Sequence, residues 1–489
     1  MPSVQKPSVQ KQSVQKLRST MSTHPGLMQD HPVIEETLTI TDPRDGSEVG
    51  TVQCAGEEQV TAAVSRARGA QPGWAGTDPA VRGSMLRDAA EALRAGAGPL
   101  ATLNSRETGR PFDEALAGVL AGVSTLEQYA ELGPLQRGLS LRGSVLAANY
   151  TVTEPRGVAA LLTPWNDPVA VAAGLIGAAL VTGNTVIHKP SERCPHLGIL
   201  LGEILVPCFP GGVFSTLTGG SGVGRLITSA SDVDVLAHVG SSAAGSAIAQ
   251  AASLTGSHVI RENGGNDPLL VDADVDPVWA AAQAAVGAFS NSGQICTSVE
   301  RIYVHRAIAE PFTAALAAEA QRRNSSGILA PLVDRKLRDA VHAQVTEAVS
   351  FGARCVEGGV LPESSGASYP ATVLLDCTEV MTVMTNETFG PVASVTVVDS
   401  FDEGLHLAAS GPYGLAASVL TGSIASAQRA IAILPVGTVK VNAVFGGAPG
   451  GSAQPRGISG AGFGYGPELL DEFTLVKVVH IGSPGVGGA

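Results

Sequence analysis

The segment VAALLTPWNDPVAVAAGLIGAALVTGNTVIHK, residues 158–189, decides the fold class. Its two ends, Val158–Leu162 and Thr185–His188, are short aliphatic and β-branched runs that predict buried strands. Between them, Val169–Val181 is an apolar run of helical length, shorter than the ~20 residues that cross a bilayer. It therefore predicts a buried helix and no membrane partner. A strand, a helix and a strand at this spacing predict one unit of a parallel sheet.

The same alternation continues towards the carboxyl terminus. A second alternating region runs from about residue 258 to residue 444. Strands that alternate with helices in this way predict an α/β fold whose parallel sheets are covered on both faces. The first alternating region, from Val158 to Ser253, contains two more strand-like runs, Val213–Leu217 and Val233–Val239. Its other helix-like runs are Pro195–Val206, Gly222–Ser229 and Ser242–Ser253.

Composition and charge exclude several function classes. The chain has 489 residues, enough for two or three domains, and 44% of them are hydrophobic. Lys and Arg number 31 against 44 Asp and Glu, and this net charge of −13 argues against a nucleic-acid partner held by phosphate neutralisation. Six scattered cysteines without a CxxC pair predict neither a disulfide framework nor a metal site, and they fit the reducing cytoplasm.

The first 25 residues differ in composition from the rest. Residues 3–6, 8–11 and 13–16 each read Ser-Val-Gln-Lys, a polar repeat without amphipathic periodicity. Such a segment cannot bury enough apolar area to fold, so residues 1–25 are predicted to be a disordered tail. Since no apolar signal segment is present near the amino terminus, a cytoplasmic location is expected.

A cysteine on a turn is the first candidate for chemistry. The stretch Asn291-Ser-Gly-Gln-Ile-Cys296 precedes a strand-like run, Arg301–Val304, and such a turn can hold a sulfur at the mouth of a cleft. A free thiol has a pKa near ~8.5, so little of it is thiolate at neutral pH. Cys296 therefore needs a general base, donors for the developing oxyanion and an acceptor for the group that leaves.

Two other segments offer a base and an oxyanion donor. Glu262 ends a strand-like run and precedes Gly264-Gly265, a sharp turn that lets a carboxylate point into a cleft. A solvated turn carboxylate is the alternative. Asn166 lies between a strand and an apolar helix, where its amide is either an oxyanion donor or an ordinary helix cap.

Two loops between strands and helices suit a dinucleotide. Lys189 and Glu192 lie on one such loop, from which both can reach ribose hydroxyls. The loop from Gly240-Ser241 to Gly245 opens an Ala-rich helix, whose amino-terminal N–H groups attract a pyrophosphate. No G-x-G-x-x-G follows a strand, so a structural turn remains the alternative for this loop.

Taken together and in this order, these segments resemble the aldehyde dehydrogenase superfamily. The spacings from Asn166 to Lys189 (189 − 166 = 23) and from Glu262 to Cys296 (296 − 262 = 34) are similar to those of the family, and the resemblance extends over residues 35–481. The matching pieces are Pro164-Trp165-Asn166, Lys189-Pro-Ser-Glu192, Gly240-Ser241 with Gly245, Glu262 before Gly264-Gly265, Asn291 to Cys296, Glu387-Thr-Phe389-Gly-Pro391 and Gly437-Thr-Val-Lys-Val-Asn442.

The resemblance implies a role for each matching residue. Cys296 is the nucleophile, Glu262 is the general base, and the Asn166 amide forms the oxyanion hole with the Cys296 N–H. The implied cofactor is NAD, with NADP as the alternative, because Glu192 beside the ribose 2′-oxygen would repel a 2′-phosphate. The implied cofactor-binding residues are Trp165, Lys189, Glu192, Gly240, Ser241, Gly245, Glu387 and Phe389.

The resemblance also implies an aldehyde dehydrogenase-like architecture of three parts. A Rossmann-type coenzyme-binding domain is expected over residues 26–137 and 154–257, and an α/β catalytic domain over residues 258–455. A small β oligomerisation flap is expected over residues 138–153 and 468–489, and the implied assembly is a homodimer or homotetramer. Within the flap, the strand-like run Leu475–Ile481 pairs either with another subunit or within its own chain.

The implied reaction is the NAD(P)-dependent oxidation of an aldehyde to a carboxylic acid, through a thiohemiacetal and a thioester on Cys296. A carboxylate base favours water over coenzyme A as the acyl acceptor. Two competing functions remain. One is a family member that has lost turnover and acts as a nucleotide-binding or structural protein, and the other is a cysteine hydrolase without a cofactor.

Several positions depart from the family pattern. Arg261 is adjacent to the proposed base, and it is expected either to lower the pKa of Glu262 or to pair with it. Asp167 replaces an apolar residue, the segment at 445–460 is extended, and Gly462–Gly466 replaces a charged pattern. Together these departures predict a wide, less aromatic substrate tunnel that accepts a bulky or polar aldehyde.

Overall fold

The computed structural model describes residues 36–145, 147–446 and 454–482. The predicted tail at 1–25 and the middle of the extended segment at 445–460 lie outside these ranges. Within them, no helix is long and apolar enough to cross a membrane.

The helices cover the faces of the sheets. They are α1 Glu57–Ala75, α2 Pro79–Ala95, α3 Ala97–Thr108, α4 Phe112–Leu132, α5 Pro168–Val181, α6 Pro195–Leu205, α7 Ser221–Thr228, α8 Ser242–Thr255, α9 Pro277–Phe289, α10 Ala309–Ser326, α11 Arg335–Ser350, α12 Thr382–Thr385, α13 Phe401–Ala408, α14 Ile424–Ile433 and α15 Glu468–Glu472.

The strands fall into two large sheets and three two-stranded ones. They are β1 Thr37–Thr41, β2 Glu48–Gln53, β3 Ala148–Pro155, β4 Val158–Leu162, β5 Thr185–Lys189, β6 Phe214–Thr216, β7 Val235–Val239, β8 His258–Glu262, β9 Asp267–Val271, β10 Val299–His305, β11 Arg354–Glu357, β12 Thr372–Leu375, β13 Val392–Val398, β14 Tyr413–Gly414, β15 Ala416–Leu420, β16 Thr438–Val441, β17 Arg456–Gly457, β18 Gly460–Ala461 and β19 Thr474–Ile481.

Two predominantly parallel sheets form the centre of the fold. The first has the strand order β18-β8-β7-β4-β5-β6, and the second has the order β11-β12-β13-β10-β9-β15-β16. Neighbouring strands are parallel except for β18 with β8 and β11 with β12. The predicted α/β class is therefore confirmed.

Burial explains why the central segments are apolar without interruption. The strands β5 and β9 are buried at every position, because helices cover both faces of each sheet. Helix α5 is apolar all round for the same reason, and all but two of its 14 residues are buried. The segment that predicted the fold class is thus the core of the first sheet.

The chain crosses from the first sheet to the second beside the candidate site. Strand β8 ends at Glu262 and β9 begins at Asp267, so residues 263–266 join the carboxyl edge of one sheet to the amino edge of the other. The predicted boundary at residue 258 falls before β8, whereas β8 pairs with β7 in the first sheet. The crossing therefore lies at 263–266 rather than at 258.

The predicted flap is a regular strand over only part of its length. Before Ala148, its described residues include a single bridge, from Ser140 to Tyr150. Regular pairing begins at Ala148, because all eight residues of β19 pair antiparallel with β3, from Ala148 to Pro155. The carboxyl-terminal strand therefore pairs within its own chain.

Candidate active site

A cleft at the facing sheet edges brings most of the predicted residues together. Its volume is about 670 Å3, within the range of small-molecule sites. Of the predicted residues, those that line it are Asn166, Trp165, Gly240, Ser241, Glu262, Cys296, Glu387 and Phe389, whereas Lys189, Glu192 and Gly245 lie outside its lining.

Cys296 is presented by a tight loop after α9. Asn291 and Ser292 take left-handed backbone conformations, with φ of 46° and 54°, and Gly293 continues the turn with φ of 74°. The Gln294 side chain closes the loop, because its Nε2 donates to the Asn291 carbonyl at 3.0 Å. Left-handed non-glycine residues are energetically costly, so their presence at a candidate nucleophile fits a loop shaped for function.

The thiol of Cys296 contacts the proposed base directly. Its Sγ lies 3.5 Å from Oε1 of Glu262, with the thiol as donor. Burial raises the pKa of Glu262. Burial, followed by the charges of Glu262 and Asp267, raises the pKa of Cys296 well above its usual range. The thiol is therefore protonated at neutral pH, and its proton lies beside an acceptor that can remove it.

The side chain of Asn166 lies against the cysteine loop. Its Nδ2 donates to the carbonyl of Gln294 at 3.1 Å. The cap of α5 is Asp167, and α5 has no side-chain cap hydrogen bond. The helix-cap alternative for Asn166 is therefore wrong, and its amide is available close to Cys296.

The carboxylate of Glu387 folds over the turn between the sheets. The N–H of Gly265 donates to Glu387 Oε1 at 3.2 Å. A Cβ placed on Gly264 would lie 2.0–2.2 Å from the Glu387 carboxylate, so only glycine leaves it room. Burial, together with the nearby charge of Glu300, raises the pKa of Glu387 well above its usual range.

Glu300 anchors the loop that carries Glu387 and Phe389, and sequence reasoning missed it. Its carboxylate accepts from the N–H groups of Thr388, at 3.0 Å, and Phe389, at 2.8 Å. Burial raises the pKa of Glu300 to about 7. Two adjacent charged residues, Glu300 and Arg301, inside a strand-like run were the available signal. The ring of Phe389 then packs edge-on against Trp165, with centroids 5.6 Å apart.

Lys189 and Glu192 lie together at the carboxyl end of β5. The Lys189 Nζ donates to the Pro190 carbonyl at 2.9 Å and lies 3.7 Å from the Glu192 carboxylate. Burial lowers the pKa of Lys189 although Glu192 opposes the shift. The loop therefore carries a formed cation–carboxylate pair at the sheet edge.

The glycine loop after β7 leads into α8 as predicted. Ser241 caps the helix, since its Oγ accepts from the N–H of Ala244 at 3.3 Å. A Cβ at Gly245 would lie 2.1 Å from Oδ1 of Asn263, so the first turn of α8 needs glycine to approach the segment that follows β8. This close approach and the helix amino terminus suit the phosphates of a dinucleotide.

The expectation for Arg261 is wrong. Successive residues of a strand point to opposite faces, and Glu262 faces the cleft, so Arg261 faces away from it. The Nε of Arg261 is buried without a hydrogen-bond partner. The pKa of Glu262 is raised by burial rather than lowered by the neighbouring cation.

Two further side chains line the cleft without a clear signal in the sequence. Arg110 places Nη1 2.9 Å from Oδ1 of Asp167 and donates to the Asn166 carbonyl at 3.2 Å. Tyr465 comes from the segment that replaces a charged pattern, and the charges of Glu262, Cys296 and Asp167 act on it. Both come from parts of the chain distant in sequence from the cysteine and glutamate motifs, so spacing did not reveal them.

The residues present fit a dinucleotide. The amino terminus of α8 offers N–H donors to the phosphates, and Gly245 lets the backbone approach closely. Trp165 and Phe389 form a flat apolar surface. In the described ranges, no group of three or more His, Cys, Asp or Glu side chains is arranged to hold a metal ion.

The chain is similar to known proteins in both sequence and fold. The model of the aldehyde dehydrogenase family matches residues 31–479. A betaine aldehyde dehydrogenase of Cereibacter sphaeroides is 33% identical over 471 residues, which cover 92% of this chain and 95% of that protein.

Two solved structures are similar over nearly the whole fold. The betaine aldehyde dehydrogenase of Staphylococcus aureus in complex with NAD+ has a TM-score of 0.89 and 27% identity, covering 92% of each chain. An NADP-dependent enzyme of E. coli has a TM-score of 0.87 and 28% identity, covering 92% of this chain and 95% of the other.

Proposed function

Because the chain belongs to the aldehyde dehydrogenase family, we propose that Cys296, Glu262 and Asn166 carry out its reaction. The family resemblance found in the sequence is confirmed, and with it the reaction class, the NAD(P)-dependent oxidation of an aldehyde. The observation that carries the residue assignment is the 3.5 Å contact between the Cys296 thiol and the Glu262 carboxyl inside the cleft.

The first step joins the thiol to the aldehyde. Glu262 takes the thiol proton while Sγ of Cys296 forms a bond to the carbonyl carbon, which gives a thiohemiacetal oxyanion. The Asn166 amide and the Cys296 N–H are the proposed donors to that oxygen. The bound nicotinamide supplies the acceptor for the hydride that leaves the same carbon. Loss of the hydride leaves a thioester on Cys296.

The second step releases the product. Glu262 first releases the thiol proton to solvent. It then removes a proton from a water molecule, whose oxygen attacks the thioester carbonyl, and the carbon–sulfur bond breaks to give the carboxylic acid and the Cys296 thiolate, which takes the proton back from Glu262. The raised pKa of Glu262 suits both proton transfers, because a base with a pKa closer to neutrality can accept and return a proton readily. Asn166 serves the second oxyanion as it serves the first.

The cofactor is held across the carboxyl edge of the first sheet. In this proposal Lys189 and Glu192 bind the adenosine ribose, and the Gly240–Gly245 loop with the start of α8 receives the pyrophosphate. Glu387 binds the nicotinamide ribose, and Trp165 and Phe389 flank the dinucleotide. Glu192 favours NAD over NADP, because its carboxylate repels a 2′-phosphate and already engages Lys189.

The substrate is a polar aldehyde. Beside Asn166, the cleft is lined by Arg110, Asp167 and Tyr465, and the first two form an ion pair at 2.9 Å. A long aliphatic tail would displace water from these polar groups and offer no hydrogen bond in its place, which costs free energy. A substrate tail with hydroxyl or charged groups can hydrogen-bond to them instead.

Assembly and location are part of the proposal. The β3–β19 pair exposes apolar side chains, with Val476 68% and Val478 66% exposed, which supports a homodimer or homotetramer formed through this ribbon. No disulfide joins any of the six cysteines, all of which lie in the described ranges, and this supports a reducing cytoplasm.

The test is a screen for NADH release over aliphatic, aromatic, semialdehyde and amino aldehydes. Cys296→Ala should abolish NADH release, whereas Cys355→Ala, a half-buried cysteine outside the cleft lining, should retain it. Nucleotide binding without NADH release by the unaltered protein across the whole panel would contradict the proposed activity.

The role of Glu262 has a separate readout. Glu262→Gln should lower steady-state turnover by roughly 100- to 10,000-fold, because general-base catalysis contributes about that much. Intact-mass measurement should show the acyl group retained on the protein, and loss of that mass increment on combining the variant with Cys296→Ala would locate it. Normal turnover by Glu262→Gln would contradict its role as the base.

A further inference from the structure

His238 is a buried histidine at the cofactor edge of the first sheet that none of the catalytic steps uses. It is the penultimate residue of β7 and is only 8% exposed. Among the described residues, neither Nδ1 nor Nε2 makes a hydrogen bond of good geometry, and the only uncharged polar groups that act on the ring from nearby are backbone groups of Ser241 and Leu162. A buried imidazole with two unsatisfied nitrogens is costly, so a polar partner at this position would be favourable.

Strand register places His238 in a row with the proposed ribose ligand. Leu162 of β4 is paired with Lys189 on one side and with His238 on the other, and His238 is paired with Arg261 of β8. Side chains paired in this way project from the same face of the sheet. Lys189, His238 and Arg261 therefore lie on one face, at one level, near the carboxyl edge.

Helix α8 begins above this row. Two residues before His238, Leu236 packs with Ile248 and Ala252 of α8 in one apolar cluster, so α8 covers the same face as His238. A Cβ on Gly240 would lie 2.8 Å from Cε1 of His238, which shows how closely the imidazole approaches the turn into the helix. The imidazole thus lies beside the α8 amino terminus, which attracts anions.

The charges around His238 are those of an anion site. Burial is the main cause that lowers the pKa of His238 to about 4; the backbone of Ser241 opposes this shift, and the cations Lys189 and Arg261 add to it. Helix α8 and strand β4 contain no charged residue, and α7 contributes only Arg225, which contacts Ser221 of its own helix. In this state the imidazole is neutral at neutral pH.

We propose that His238 is a ligand of the cofactor pyrophosphate and takes up a proton from solvent when the dinucleotide binds. This inference rests on the proposed cofactor site. The negative charge of the bound phosphates raises the pKa of the His238 imidazole, against the effect of Lys189 and Arg261. The phosphate oxygens also accept hydrogen bonds from the imidazole N–H groups. Cofactor binding is then linked to proton uptake, so affinity falls as pH rises.

The experiment is a fluorescence titration of the full chain with NADH, in the absence of aldehyde, from pH 6 to pH 8.5. The unaltered protein should bind NADH about three- to tenfold more tightly at pH 6 than at pH 8, since one linked proton gives at most about tenfold per pH unit. His238→Phe keeps a planar ring of similar size and should show a clearly weaker dependence. His258→Gln is the matched control, because His258 is a histidine of the neighbouring strand that bonds Glu472 at 2.7 Å instead.

The decisive quantity is the difference in slope between the unaltered protein and His238→Phe, because the raised pKa of Glu387 also makes binding depend on pH. Calorimetric titration with NADH in two buffers of different ionisation enthalpy should show proton uptake that is smaller in His238→Phe. Equal slopes and equal uptake in the two proteins would overturn the role of His238 while leaving the cofactor site intact. Failure of the unaltered protein to bind NADH at any pH would overturn both.

Discussion

The substitution Gly264→Ala should displace the carboxylate of Glu387 while leaving residue 387 itself unchanged. A Cβ at Gly264 would lie 2.0–2.2 Å from the carboxylate atoms, and an ordinary contact is at least 3.4 Å. The carboxylate must therefore retreat by about 1.2–1.4 Å, which also breaks its 3.2 Å bond from the Gly265 N–H. Gly264 is not in the left-handed region, so alanine there meets the carboxylate rather than backbone strain.

The expected loss follows from the hydrogen bonds of a charged group. Under the proposed function Glu387 binds the nicotinamide ribose, and a hydrogen bond to a charged group contributes about 1.5–3 kcal/mol. Since about 1.4 kcal/mol is tenfold in affinity, Gly264→Ala should weaken NADH binding by at least about tenfold. The free energy of unfolding should change much less, because the displaced carboxylate can turn into the open cleft.

A double-variant cycle separates displacement of Glu387 from any direct effect of the methyl group. NADH titrations of Gly264→Ala, Glu387→Gln and the combined variant should show similar weakening in all three, because the second change has nothing further to remove. Fully additive losses, or NADH binding by Gly264→Ala that equals that of the unaltered protein, would refute the reasoning.

Four further outcomes are expected. Asn166→Ala should lower kcat by about 100- to 1,000-fold while NADH affinity stays within about twofold, and equal losses in both would contradict an oxyanion role. Glu192→Gln should raise the kcat/KM ratio of NADP to NAD by at least about threefold, and an unchanged ratio would remove Glu192 from the ribose site. Asp167→Asn removes the nearer carboxylate of Arg110 and leaves only Glu114, at 3.9 Å. The ratio of kcat/KM for an anionic semialdehyde to that for a neutral aldehyde of equal length should therefore rise at least about threefold, and a fall in that ratio would contradict the proposed role of the pair. The rate of alkylation of Cys296 by iodoacetamide should rise steadily from pH 6 to pH 9, because burial raises the pKa of the thiol well above its usual range. A rate that levels off below pH 8 would contradict the raised pKa.

Several motifs found in the sequence lie where a strand of the first sheet ends, whereas Cys296 and Glu387 precede strands of the second sheet. Glu262 and Lys189 are the last residues of β8 and β5, and the carboxyl ends of neighbouring parallel strands share one edge. Periodicity and motif spacing along the chain were enough to place these residues on that edge. Spacing did not reveal that the side chain of Arg261 projects from the face of β8 opposite to that of Glu262.

By itself, the sequence determined the alternating strands and helices, the family and the residue types of the candidate site. These follow from local properties: apolar periodicity within each segment and motifs a few residues long. Tertiary structure alone decided that Asn166 bonds to the cysteine loop, that β19 pairs with β3, and that Arg110 enters the cleft. Each of these contacts joins parts of the chain that are distant in sequence, and only packing of the helices and sheets specifies which surfaces meet.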